Sequence, residues 1–199
     1  MAPRDMFLQD IKNVLFGGQL SAGQAEGLGA LLNACEFYEV KDPNQIAYVL
    51  ATAYHEVNKT MQPIAEYGKG KNRKYGQRVK YNGTGYADTT NLFYGRGFTQ
   101  NTWYDIYKIL SGIFKVDLIH NPDLLITDID LSAKVSVYAM KKGIYTGKKL
   151  SDYINENEVD FVNARRIINI LDKAQLIAGY AEKFKNSLLF PPLAGGPEL

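Results

Sequence analysis

Phe93-Tyr94-Gly95-Arg96-Gly97-Phe98-Thr99-Gln100-Asn101-Thr102-Trp103 stands where an irregular segment gives way to helix. Gly95 and Gly97 permit a tight backbone path, and Arg96 between them can fix a carboxylate or backbone carbonyls. Gln100 and Thr102 offer neutral polar groups just ahead of Trp103, Ile106, Tyr107 and Leu110, whose spacing predicts a helix. On the residues alone, the glycine-bracketed arginine is either part of a polar site or a structural turn.

Upstream, residues 61–93 hold Gly68, Gly70, Gly76, Gly83 and Gly85, the turn signal Asn82-Gly83, and tyrosines 67, 75, 81 and 86 among polar residues. A long loop with a small β-hairpin is expected there. The flanks are helical in pattern. Met6, Ile11, Val14 and Leu15 mark a first helix over residues 5–16, stopped by Gly17-Gly18. Ser21 with Gln24 resembles a capping box for a second, with Leu28, Leu31 and Leu32 as its apolar face. Asp42-Pro43 is the clearest helix start, with the helix running to about Lys59. Further helices are expected over residues 131–140, 159–171 and 174–189. The expected organisation is a single domain over residues 1–190 and a flexible tail over 191–199. An irregular segment interrupting a helical chain is where function concentrates.

The chain has 199 residues, 46% hydrophobic and 22% charged, which excludes disordered, collagen-like and coiled-coil classes. One cysteine, Cys35, allows no intrachain disulfide. With two histidines beside it, a zinc site of such ligands is not expected, and neither is any other metal or cofactor. The N-terminus alternates apolar and charged residues, so it reads as an amphipathic helix, not a signal peptide, and no window suits a membrane span. The net charge of +2 gives no global attraction to nucleic acid. Locally the balance differs: Lys59, Lys69, Lys71, Arg73, Lys74, Arg78 and Lys80 face a single Glu66. Such a run grips phosphates or an anionic glycan, or is simply solvated. Gly68-Lys69-Gly70-Lys71 lacks the spacing of a nucleotide loop, and His55-Glu56 lacks the second histidine of a zinc-protease helix.

Two carboxylates are candidates for acid and base chemistry. In the helix after Pro43, Ile46, Val49, Leu50, Ala53 and Val57 form one stripe; Glu56 lands on its margin and His55 points away. Partial desolvation there disfavours the charged form, as suits a general acid; the alternative is a flanking glutamate paired with Lys59. Glu66 follows Pro63 in the irregular segment. The two either face each other across a cleft or are unrelated surface acids.

Tyr94-Gly95-Arg96-Gly97 followed by Gln100 and Thr102, preceded by His55-Glu56 on a helix and joined by Ile167-Ile168-Asn169, resembles the family 19 glycoside hydrolases. These comprise plant-type chitinases and many phage endolysins, and the phage branch is the nearer. The resemblance spans roughly residues 44–185. It implies a mainly α, lysozyme-like α+β fold, with two helical lobes around a glycan-binding cleft. It further implies Glu56 as general acid, Glu66 as general base with Asp88 as its alternative, and Thr102 as holder of the attacking water. His55, Tyr94, Arg96, Gln100, Trp103 and Asn169 would bind substrate. The implied activity is an inverting endolysin-type hydrolysis of β-1,4 bonds between N-acetylmuramic acid and N-acetylglucosamine in peptidoglycan, or else hydrolysis of chitin. A monomer without nucleic-acid partner or stable membrane insertion is expected. It would be held in the host cytoplasm and released to the periplasm and cell wall through a holin-like pore. The chain departs from the resemblance in having Val57-Asn58-Lys59 where Thr-Thr-Gly is common. It also has Leu176 near the place of an arginine.

Overall fold

The computed structural model describes residues 3–188; the tail expected from residue 191, and position 189 of the last expected helix, lie outside them. Among the described residues seven helices dominate: α1 (Pro3–Leu15), α2 (Ala22–Phe37), α3 (Pro43–Glu56), α4 (Tyr104–Phe114), α5 (Leu124–Thr127), α6 (Ile129–Lys142) and α7 (Ala174–Leu188). The capping signals act as expected. Ser21 Oγ accepts the Gln24 N–H (3.1 Å) while Gln24 Oε1 accepts the Ser21 N–H (2.9 Å). Asp42 Oδ1 accepts the Asn44 N–H at 2.8 Å ahead of Pro43.

Helix α3 is the axis of the larger lobe. Val49, Leu50, Ala53 and Val57 of its stripe are buried and Ile46 partly so, but every residue from Ala47 to Tyr54 is buried too, so α3 is enclosed and not amphipathic. Ala47, Ala51 and Ala53 keep its girth small, letting α7 lie along it and α2 and α6 approach. It stops at Glu56, three residues short of the expected end, because Val57 caps it and Asn58 and Lys59 turn with positive φ.

A second, smaller core gathers Tyr86, Phe93, Tyr104, Tyr107, Leu110, Leu118, Leu125 and Val135. Helix α6 serves both cores: Ala133, Val137 and Met140 face the large one, Leu131 and Val135 the small one. Spacings of three and four residues set those two faces.

The decisive stretch docks on α6. Arg96–Gly97 (β2) pairs antiparallel with Ile64–Ala65 (β1), Ile64 opposite Gly97. Gly97 has φ +85°, and a Cβ there would sit 2.8 Å from Ser132 Oγ on α6. Only glycine meets both conditions. The hairpin at Asn82-Gly83 is present in reduced form, as one bridge between Val79 and Gly85 with Lys80 N–H bonded to Thr84 O at 2.7 Å. The helix expected over 159–171 is absent. A five-residue 3-10 turn, Asn163–Ile167, replaces it. Asp160 caps this turn, its Oδ1 taking the Asn163 N–H (2.9 Å), and the turn stops where Asn169 Oδ1 takes the Ile170 N–H (2.8 Å) and Thr146 Oγ1 donates to Arg166 O (2.7 Å).

Candidate active site

Glu56 ends the buried α3, so a rigid element fixes its position, and its side chain is 16% exposed. Its partner is Arg165, not Lys59: Nη1 donates to Glu56 Oε1 at 2.6 Å, with the arginine side chain only 4% exposed. Arg165 is held in turn by donating Nε to Asp172 O at 3.1 Å. Lys59 instead lies over the Tyr54 ring. A buried charge left without its partner is expensive, so the arginine fixes where the carboxylate points.

Glu56 opens into a cleft of about 1060 Å³. Its walls come from Tyr75, Tyr81 and Asn82 in the irregular segment, from Thr99, Gln100, Thr102 and Trp103 ahead of α4, from Tyr145, Thr146 and Lys148, and from Arg166, Ile168, Asn169 and Ile170. Four expected residues are therefore brought to one place with Glu56: Gln100, Thr102, Trp103 and Asn169. Thr102 Oγ1 donates to Gln100 O at 2.8 Å, leaving its oxygen as an acceptor. Gln100 commits its NH2 to Ile64 O (3.1 Å) and Gly97 O (3.0 Å), which leaves Oε1 to meet a ligand. Trp103 receives Tyr75 and Tyr81 edge-on at 5.6 and 5.2 Å, an aromatic platform of the kind that sugar rings pack on. Gln100 and Trp103 have φ of +53° and +76°; such strain in non-glycine residues marks sites held by their surroundings.

The other expected residues lie elsewhere. Glu66 is not on the cleft wall. It is half-buried behind Tyr75, whose hydroxyl donates to Oε1 at 2.8 Å, while the Gly95 N–H donates to Oε2 at 3.2 Å. Burial and that bond push the Tyr75 phenol up to about 12, so it stays a donor at neutral pH. Asp88 is away from the cleft wall, receiving the Tyr104 hydroxyl at 2.7 Å, a bond that holds its carboxyl below the usual range. Arg96 is 3% exposed and its role is internal: it donates to Asp123 Oδ1 (2.7 Å) and Leu92 O (2.9 Å), and lies 3.6 Å over the Tyr94 ring. Tyr94 and Arg96 border a separate pocket of about 500 Å³. His55 is beside Glu56 in sequence but off the cleft wall, and burial holds its imidazole below the ordinary value against the pull of Glu56.

Neither a protein-family model nor a curated protein matches the chain. Solved structures do match. A bacterial family 19 chitinase superposes with TM-score 0.65 at 21% identity, covering 96% of this chain and 97% of its own. Chitinase C from Streptomyces griseus HUT6037 gives 0.62 at 22% identity, over 93% and 75%. A point mutant of chitinase C gives 0.59 at 22%, over 93% and 91%.

The fold is that of the family 19 chitinases.

Within this family 19 fold, several cleft residues escaped the sequence reading. Arg165 stands two residues before Ile167-Ile168-Asn169, but nothing in its local pattern ties it to a glutamate 109 positions earlier. An arginine in a segment read as helix looks like a surface cation. Arg166 was missed for the same reason, and Lys148 as one cation in the stretch between the expected helices. Tyr75 was visible only as one tyrosine of several. Among the described residues no group of histidines, cysteines and carboxylates could hold a metal ion, and no helix is long and apolar enough to cross a membrane.

Proposed function

We propose that the chain is a glycoside hydrolase that cleaves β-1,4-linked N-acetylated glycans with inversion. The observation that carries this is Glu56, pinned by Arg165 at the end of a buried helix and opening into a polar, aromatic-walled cleft on a chitinase fold. Glu56 acts as general acid, protonating the leaving glycosidic oxygen, and Arg165 stabilises the carboxylate left behind. Glu66, which lies behind Tyr75 and off the cleft wall, acts as general base in this reading once the Tyr75 side chain swings aside to admit the water. Inversion requires carboxyls about 6.5–9.5 Å apart with a water between them. Thr102 Oγ1 accepts a hydrogen bond from that water, and the Gly95 N–H orients the base. Gln100 Oε1 and the Asn169 NH2 meet N-acetyl or hydroxyl groups, and Trp103 packs against a ring.

The natural polymer in this reading is peptidoglycan, cut between N-acetylmuramic acid and N-acetylglucosamine, with the protein serving as a phage endolysin. It works as a monomer, is held in the host cytoplasm, and reaches the periplasm and wall through a holin-like pore. Expression without such a pore should then leave cells intact; spontaneous lysis would count against it. Chitin is the second reading, favoured by the chitinases that share the fold.

The deciding experiment measures new reducing ends from purified peptidoglycan and from chitin with wild type and Glu56→Gln, a near-isosteric change. Loss of activity by a factor of at least about 10² on the preferred polymer is expected for removal of the acid. Full activity in the variant sinks the assignment of Glu56. Inactivity of the wild type on both polymers sinks the reaction class.

A further inference from the structure

The basic run over residues 59–80 does not supply charge to the cleft wall. Lys69, Lys71, Arg73 and Lys74 are exposed on the loop, and of their neighbourhood only Tyr75 reaches the wall. Two cations outside that run do line it, Lys148 and Arg166. Their segments are tied together, because Thr146 Oγ1 lies within bonding distance of both Arg166 O (2.7 Å) and Ile167 O (3.1 Å). Among the described residues neither side chain joins a salt bridge. Arg166 commits only Nε, to Asn163 Oδ1 at 3.3 Å, so the two terminal nitrogens of its planar fork are free. The acids on the wall are Glu56, paired with Arg165, and Asp105, whose Oδ2 accepts the Tyr81 N–H at 2.8 Å. The two cations share their stretch of wall with Asn169, Ile168 and Ile170, a neutral polar and apolar surface suited to a sugar.

We infer that Lys148 and Arg166 form a carboxylate-reading wall, which makes this cleft prefer glycan strands carrying carboxylates on a sugar substituent over neutral N-acetylglucosamine polymers. The inference rests on the glycan-cleft reading above and adds to it the residues that choose the polymer. A guanidinium fork binds a carboxylate through two parallel hydrogen bonds, and the nearby ammonium adds a point charge. A neutral strand leaves both cations solvated, so the selectivity comes from attraction, and it is sensitive to salt.

The test is calorimetric binding to the full chain carrying Glu56→Gln, which keeps strands uncut. Three probes of equal sugar number are compared: chitooligosaccharide, peptide-free peptidoglycan strands with free lactyl carboxylates, and strands that retain their stem peptides. Lys148→Gln with Arg166→Gln is expected to lower the affinity ratio of carboxylate-bearing to neutral strands about tenfold, and added salt to lower it in the parent. Arg166→Lys in the Lys148→Gln background should recover part of the ratio. A fall with either carboxylate-bearing probe supports the wall, and the probe that shows it tells whether the lactyl group or the peptide is read. An unchanged ratio overturns the inference, as does an equal loss for all three probes, which would mean that the wall shapes the cleft and reads no charge. Failure of every probe to bind the Glu56→Gln parent would remove the glycan reading itself, an outcome distinct from an unchanged ratio.

Discussion

At the scale of single residues, the contact between Glu56 and Arg165 concentrates most of the chemistry of the proposed reaction. Both side chains are largely withdrawn from water and held 2.6 Å apart, so each fixes the other. Replacing Arg165 with Gln should lower kcat by about 10²-fold with a much smaller change in KM, because the carboxylate formed on proton delivery loses its counter-charge. The same change should lower stability by about 3–5 kcal/mol, the usual cost of leaving a buried charge unpaired. Steady-state kinetics and urea unfolding of Arg165→Gln check the two effects. A rise in KM with kcat preserved would show that the arginine binds substrate instead. Glu56 was legible in the sequence because a helical stripe and a helix end bracket it. Arg165 was not, since an ion pair between residues 56 and 165 leaves no local periodic trace. Glu66 was legible as a carboxylate but not in its partners, as only the folded loop puts the Tyr75 hydroxyl on it.

At the scale of elements, strong local chemistry was readable and weak or competing chemistry was not. Asp42-Pro43 and the Ser21/Gln24 box announced α3 and α2 because caps satisfy backbone donors with adjacent side chains. Strands of two residues, as in β1 and β2, carry no alternation to detect. The run 159–171 has apolar residues at helical spacing and a cap at Asp160, yet Asn169 captures the Ile170 N–H and Thr146 the Arg166 carbonyl, the two groups that the next helical bond would join. The end of α3 yields a pH prediction through His55. A helix C-terminus favours the protonated ring, but burial disfavours it more strongly and holds its titration below the ordinary value, with Arg165 and Lys173 adding to burial and Glu56 and Asp172 opposing it. Well above about pH 6.5 the ring is neutral folded or unfolded and stability is unaffected. As pH falls below that value the unfolded chain takes up the proton first, so stability is lost down through the folded value. His55→Gln should therefore show a shallower loss of stability between about pH 7 and 5 than wild type, measured as the difference in urea midpoints. Parallel curves would mean that the ring titrates normally.

At the scale of the whole molecule, the cleft depends on how the two cores are joined. Glu56 belongs to the large lobe through α3, whereas Trp103 precedes α4 of the small one, so a lobe that loosened by itself would separate the acid from the aromatic platform. Helix α6 opposes this by presenting Val135 to the small core and Val137 to the large one, and Gly97 packs the intervening strand against Ser132 on the same helix. Melting the small core uncovers one face of α6, and the large core then loses support on the other. The two lobes should consequently unfold together. Leu110→Ala, which empties a fully buried site in the small core, should destabilise the entire chain by about 2–5 kcal/mol. Trp103 is the only tryptophan, so its fluorescence follows the cleft and small lobe, while far-UV circular dichroism is dominated by the long helices of the large lobe. In urea the two signals should shift to lower denaturant by the same amount in Leu110→Ala and remain superimposable. A fluorescence transition that precedes the loss of helicity would show that α6 does not couple the cores, and that the small lobe opens independently of the element carrying Glu56.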